Sequence, residues 1–441
     1  MTGPRTPLEA TNATDATDTE AERMTHRLNP IDEVFLSMEG EVGLIHGQFL
    51  RFGGKPPPLK ELHDHLAQRL PGLPGLTHRL TSSSGRQRRE PADAFDPAAH
   101  LEEQEFPAGT LLDGVLTALV REPLPVNAPP WSMRLVHGYA DGEFGICYRV
   151  HHSAEDGMGA AHVVSALFGD CGPVDGRRAA AGPRPLISGS MRELVRGTLS
   201  VGAGLGRALV PARAWPRAPK PRPERLGVCS AGATSNELRE LSRRCGGTLN
   251  DAFLMTLWQA LNDWSATGEG HLRSRLRTTP VAVRMPLSTR RPGEDALLGN
   301  HLTTTVVTLP ARGTPFDVAF TQLAGRTRRM RAHGLRPASR ALVGILPPAL
   351  TRWTVRRLLS PQASPLYASN FSLPTALSFR GAPAVDVTPL GVLLPGNALS
   401  VTLLSHGEQV RISFLYDRAL PEAEQLAGLW RAALDTLSAS A

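Results

Sequence analysis

The chain has 441 residues, with 48 Lys and Arg against 41 Asp and Glu, a net charge of +7 and a pI near 9.7. A content of 41% hydrophobic and 20% charged residues, with 42 Gly and 38 Pro, excludes a fully disordered, collagen-like or coiled-coil chain. The basic excess is nearly all arginine, lysine standing only at Lys55, Lys60 and Lys220. Aromatics are 5% and do not interleave with basic residues as base-stacking surfaces require, so no nucleic-acid partner is expected.

Residues 1–25 are polar and acidic and read as a disordered tail, without the apolar stretch of a secretory signal. From Pro30, the spacing of Ile31, Val34, Phe35 and Met38 predicts a helix. A second helix spans Leu59 to Leu70, the polar stretch Thr81 to Pro97 reads as loop, and Leu111 to Val120 is helical. Trp131 to Val136 and Phe144 to His152 alternate as strands around the turn Asp141-Gly142, with Trp131 expected in the core. A further helix follows Asp156-Gly157.

The composition then changes. Gly, Pro and Arg dominate from Cys171, a small-residue helix is expected from Met191 to Leu209, and the run PARAWPRAPKPRPER reads as a solvated connector. Residues 26–180 are therefore assigned to an N-terminal half, 181–235 to a Pro/Arg-rich connector and 236–441 to a C-terminal half. In the last, Phe253, Leu254, Leu257, Trp258, Leu261 and Trp264 share one face of a long helix. The strands TTPVAVRMPL and HLTTTVVTLP, an arginine-bearing helix from Phe316 to Gly334, a hairpin at His406-Gly407-Glu408 and a final helix from Pro421 complete it. Strands and helices alternate in both halves, so the class is α/β (α+β).

Arg340 to Leu359 has the composition of an interfacial helix broken at Pro347-Pro348, and a groove-lining helix would read the same way. No apolar run reaches the about 18 residues of a spanning helix, so membrane contact is expected to be peripheral at most. Cys147, Cys171, Cys229 and Cys245 have neither zinc-ligand nor disulfide-framework spacing, which fits a cytoplasmic protein.

The string VHHSAEDGMG, Val150 to Gly159, carries the chemistry. Side chains alternate along a strand, so His151 and His152 point to opposite faces and cannot chelate one metal together. His152 falls on the apolar face, where burial would keep its imidazole neutral and able to act as a general base. Asp156 is placed to brace the loop, and Arg284, ending PVAVR, is the candidate cation to hold it. Thr248 to Asp251 reads as a helix cap, with a supporting role for Asn250 and Asp251 also open; Asn300 reads as a turn residue after Gly299.

H-H-x-x-x-D-G resembles the signature of the acyltransferases related to chloramphenicol acetyltransferase, which include condensation domains and the bacterial wax ester synthase/diacylglycerol acyltransferases. LNPIDEVFL, FDPAAHL, PPWSMRLVHGYADGEFGICYRVHHSAEDGMG, TLNDAFL, PVAVR and LGN are similar, in the same order, to motifs of the last family, from Leu28 to about Leu437. SNFSLP from Ser369 and the residues around Pro395-Gly396-Asn397 depart from that family's pattern in segments that lie near the acceptor channel of relatives.

The resemblance implies two chloramphenicol-acetyltransferase-like halves, each a mixed sheet flanked by helices, with a central channel. It implies an acyl-CoA-dependent O-acyltransferase acting on a long-chain alcohol or diacylglycerol to give wax esters or triacylglycerol. His152 would be catalytic, His151, Asp156, Gly157 and Arg284 supporting, and Asn250, Asp251 and Asn300 either backing the site residues or purely structural. Acyl-CoA would be a co-substrate, with no bound cofactor or metal, and a membrane or lipid-droplet surface a peripheral partner. Two alternatives stand beside it: a condensation-type transferase acting on a natural-product or carrier-bound acceptor, and a catalytically silent acyl-lipid binder.

Overall fold

A computed structural model describes residues 26–38, 44–83, 86–93, 95–169, 190–209, 221–266, 271–332, 334–361, 364–373 and 376–440. The expected tail, Cys171 and most of the Pro/Arg-rich run lie outside these residues. Fifteen strands are present among them: β1 His26–Arg27, β2 Ile45–Gly53, β3 His78–Ser83, β4 Arg86–Pro91, β5 Leu101–Glu105, β6 Trp131–His137, β7 Glu143–His151, β8 Leu226–Thr234, β9 Ala282–Ser288, β10 Leu302–Thr308, β11 Leu366–Leu373, β12 Ser378–Phe379, β13 Ala382–Leu390, β14 Leu399–His406 and β15 Gln409–Asp417. They form two mixed six-stranded sheets, β12-β13-β2-β7-β6-β5 and β10-β9-β11-β14-β15-β8, and a small sheet β1-β4-β3.

The expected hairpin is β6–β7, antiparallel from Trp131 opposite Val150, with Gly142 at φ +69 in its turn. Phe144, Ile146, Tyr148 and Val150 on one face of β7 enter a core shared with Trp131, while Cys147 on the other face enters a second core. Helix α1, Pro30–Ser37, is capped by Asn29, whose Oδ1 accepts the Ile31 and Asp32 N–H groups at 2.9 Å each. Helices α2 Leu59–Arg69, α3 Leu112–Arg121 and α4 Gly157–Phe168 complete the first half, and α5, Met191–Leu209, follows.

In the second half, α6 Ser235–Arg244 starts from a Thr234–Glu237 capping box, and α7 Leu249–Ala266 buries all six residues of its expected apolar face. Helices α8 His271–Thr278, α9 Phe316–Ala332, α10 Leu335–Ile345, α11 Pro348–Leu358 and α12 Leu426–Ser440 follow. Pro347 separates α10 from α11, the break expected in the Arg340–Leu359 stretch.

Three features differ from the sequence reading. Thr81 to Pro97 is not all loop: the end of β3 and all of β4 form there, hidden from pattern reading because, Leu80 and Pro91 apart, the side chains of both strands are polar. Leu226–Thr234, placed at the end of the connector, is an edge strand of the second sheet, with β10 at the other edge. Most consequentially, β12 and β13 come from the C-terminal half of the chain yet belong to the first sheet, β13 running antiparallel to β2. The two halves are interlocked, and the groove between them is walled by both.

Candidate active site

Strand β7 ends at His151, and the next residues turn sharply toward α4. The His152 N–H donates to the Leu44 carbonyl at 2.7 Å and the Ala154 N–H to the His151 carbonyl at 2.8 Å. This bend delivers the His152 ring to a cavity of about 400 Å³ between the halves, lined also by His46, Asn250, Met285, Arg331 and Tyr367. The ring stacks on Phe35 (centroids 4.0 Å apart, planes at 13°) and lies tilted against His46 at 4.7 Å. Its Nδ1 is buried from solvent.

Burial takes the His152 pKa down to about 4, against the upward pull of its own backbone carbonyl and of Asp156, so the imidazole is neutral near pH 7. His46 is also neutral. Burial, then His152, takes its pKa down to about 3, and its Nε2 lies 2.9 Å from the Glu155 carbonyl, so that nitrogen carries the proton. His151 turns away from the cavity, accepting the Ser153 N–H on Nδ1 at 3.1 Å and lying 2.6 Å from the Ser153 hydroxyl.

Asp156 is the N-cap of α4, its Oδ1 accepting the Gly159 N–H at 2.9 Å; Gly157 opens the helix and lines the cavity. Its partner is not Arg284. Asp156 Oδ2 forms a buried ion pair with Arg290 and also accepts the His301 N–H at 2.9 Å. Arg290 donates in addition to the carbonyls of Leu297 and Gly299, at 3.0 Å each. Burial pushes the Asp156 carboxyl up, but Arg290 and the two N–H donors outweigh it and hold the pKa below the ordinary value.

Arg284 sits four residues before the end of β9, roughly 13 Å back along an extended chain. Its guanidinium reaches only Thr304 Oγ1 and the Ser360 carbonyl, both at 3.4 Å, and pairs with no carboxylate among the described residues.

Asn300 is more than a turn residue. It is buried, and its Nδ2 donates to the His152 carbonyl at 2.6 Å. Asp251 caps α7, accepting from the Thr248 N–H and hydroxyl at 2.8 Å each, and Thr327 on α9 donates to its other oxygen at 2.6 Å. Asn250 faces the cavity instead. Of the two divergent segments, Ser369 to Ser372 line the cavity, while Asn397 is tied to the Pro365 carbonyl at 3.4 Å.

Family models place a wax ester synthase/diacylglycerol acyltransferase catalytic domain over residues 28–209 and the C-terminal domain of the same family over residues 298–438. The chain belongs to this family of O-acyltransferases. The first match contains His151, His152 and Asp156, and the second contains Asn300, so the site is assembled across both. A Mycobacterium tuberculosis protein named as a candidate diacylglycerol O-acyltransferase is 24% identical over 94% of this chain and 99% of its own.

Among solved structures, the wax ester synthase/diacylglycerol acyltransferase of Marinobacter aquaeolei VT8 superposes with a TM-score of 0.65 at 17% identity, covering 94% of this chain and 99% of that one. The first condensation domain of the CDA synthetase gives 0.62 at 17%, covering 94% and 95%. A starter condensation domain of rhizomide synthetase, solved with C8-CoA, gives 0.59 at 15%, covering 96% of each chain. These likenesses establish the two-lobed fold. No helix among the described residues is long and apolar enough to cross a membrane.

Proposed function

We propose that the protein transfers an acyl group from acyl-CoA to the hydroxyl of a long-chain alcohol or diacylglycerol, with His152 as general base. The observation that carries the reading is a neutral imidazole, buried on its Nδ1 side, at the wall of a cavity that both halves line. In the proposed reaction Nε2 takes the proton of the acceptor hydroxyl as its oxygen attacks the thioester carbonyl. The tetrahedral intermediate collapses with cleavage of the carbon–sulfur bond, and the departing thiolate recovers the proton from the imidazolium to leave as free CoA. No acyl-enzyme and no bound cofactor enter.

Asp156 has no proton to give. Fixed by Arg290, it holds the start of α4 and thereby the loop behind His152. Arg331 and Arg336 lie on the cavity wall contributed by α9 and α10 and suit the phosphates of CoA. Met285, Leu287, Leu302 and Phe371 offer apolar surface to an alkyl chain. Met191, Val195 and Leu199 make an exposed stripe on α5 beside Arg192 and Arg196, which supports peripheral contact of a cytoplasmic enzyme with a lipid surface.

A second reading, condensation of a polar or carrier-bound acceptor, is favoured by Asn250, Ser369, Asn370, Ser372 and Thr402 in the same lining. Purified protein given palmitoyl-CoA with hexadecanol or diacylglycerol should release free CoA, and His152→Ala should lower the rate by about 10²- to 10⁴-fold. Equal rates in wild type and variant would refute His152 as the base. Release only with polar amine or carrier-bound acceptors would favour the second reading.

A further inference from the structure

Helix α1 turns a carboxylate inward. Asp32 is 2% exposed, and burial pushes its pKa up to about 6 against the opposing pulls of Arg89 and Asn300. A carboxylate so placed is a poor device for stability alone, since desolvation offsets much of what its partners return. Its contacts suggest another use.

Asp32 Oδ1 accepts both the backbone N–H of Asn300, at 2.7 Å, and its Nδ2, at 2.8 Å. That same Nδ2 donates to the His152 carbonyl at 2.6 Å. Asp32 Oδ2 faces Arg89 Nη2 at 3.5 Å, and this nitrogen donates to the carbonyls of Ser153 and Ala154 at 3.0 and 2.8 Å. Three consecutive carbonyls of the histidine loop are thus held by two side chains that meet at one carboxylate.

The rest of the surroundings fit. Gly299, at φ +83, comes so close that a Cβ there would lie 2.4 Å from Asp32 Oδ2. Asn29, the cap of α1, donates to the Asn300 carbonyl at 3.2 Å. Phe35, three residues after Asp32 and therefore on the same face of α1, is the ring stacked on His152.

We infer that Asp32 is a positioning residue for acyl transfer: by gathering Asn300 and Arg89 it fixes the carbonyls of His152, Ser153 and Ala154, while Phe35 from the same helix turn fixes the imidazole. The inference rests on His152 being the base, and it gives the LNPIDEVFL segment a role in aiming that base.

The test uses full-length Asp32→Ala and Asp32→Asn, with kcat and KM from CoA release, thermal unfolding, and the His152 ring signal in protein labelled with ¹³C at histidine Cε1, assigned with His152→Gln. Asp32→Ala should lower kcat by about 10²-fold, the scale of a 1 Å misplacement, with KM little changed, and should move the His152 signal. Asp32→Asn keeps an acceptor oxygen for Asn300 and should recover part of kcat. If Asp32→Ala does not fold, Asp32→Asn carries the test through its intermediate kcat and ring signal.

An unmoved ring signal, a loss confined to KM, or Asp32→Asn no better than a folded Asp32→Ala would overturn the inference. Wild type that releases no CoA, with a ring signal that still moves on Asp32→Ala, would sink the acyltransfer reading and leave Asp32 as the residue that places His152.

Discussion

Replacing Arg290 by Ala tests the electrostatic account of the site most directly. The side chains of Arg290 and Asp156 are 3% and 4% exposed, so removing the arginine leaves a buried carboxylate with only the N–H groups of Gly159 and His301. Breaking a buried pair from one side costs about 3–5 kcal/mol. Because β13 locks the halves together, the chain should unfold as one cooperative unit. At roughly 2.1 cal/mol/K of unfolding entropy per residue, its 441 residues give about 0.9 kcal/mol/K, so Tm at pH 7 should fall by about 3–5 °C.

The pH dependence has a definite sign. In wild type the Asp156 pKa is depressed, so its contribution is present above the ordinary carboxylate range and is lost as pH falls through the folded value. Without Arg290 burial dominates and raises that pKa, so the variant loses stability as pH rises through the ordinary range. The gap between the two proteins should therefore narrow in acid. Circular dichroism melts of wild type, Arg290→Ala, Asp156→Asn and the double variant, at pH 7 and about pH 4, read this, with a coupling of about 0.5–3 kcal/mol expected in the cycle. Arg284→Met is the control: it removes a buried cation that has no carboxylate partner among the described residues, and should be neutral or stabilising. A drop below about 1 °C for Arg290→Ala, or a larger one for Arg284→Met, would refute the assignment.

The neutrality of His152 is checked by its ¹³C ring signal, which should titrate near pH 4, far below the ordinary histidine range; a midpoint near 6.5 would mean that water reaches the ring freely. Arg331→Ala and Arg336→Ala should each raise KM for acyl-CoA by roughly 5- to 10-fold at low salt, with the effect shrinking as salt is added and kcat little changed.

What could be read from the chain follows from what each signal depends on. The helix from Met191 to Leu209, the β6–β7 hairpin and the apolar face of α7 depend on local periodicity and on one turn, and all appear where their residues predict them. Strand β2 gave no such signal, because most of its residues on both faces are buried and alternation disappears. The transfer of β13 into the first sheet has no local signature at all, since only the pairing with β2 decides it.

The site divides along the same line. His152, Asp156 and Gly157 sit in one contiguous string, and their mutual placement follows from a strand ending where a helix begins. The residues that tune them come from α1, β2, β4 and the loop after β9, segments far apart in the chain. Arg284 has the charge that Asp156 needs but not the reach: the pair takes a cation beyond the end of β9, where the chain turns back across the start of α4. For Asn300 the local pattern leaves a turn and a place behind the site equally open. Gly-Asn is what a turn looks like, and here the positive φ of Gly299 serves to bring a backbone against Asp32 and so carry the Asn300 amide to the His152 carbonyl. The residues proposed to do chemistry are therefore legible where the backbone alone positions them, and those that surround and aim them become legible only once the two interlocked halves bring them together.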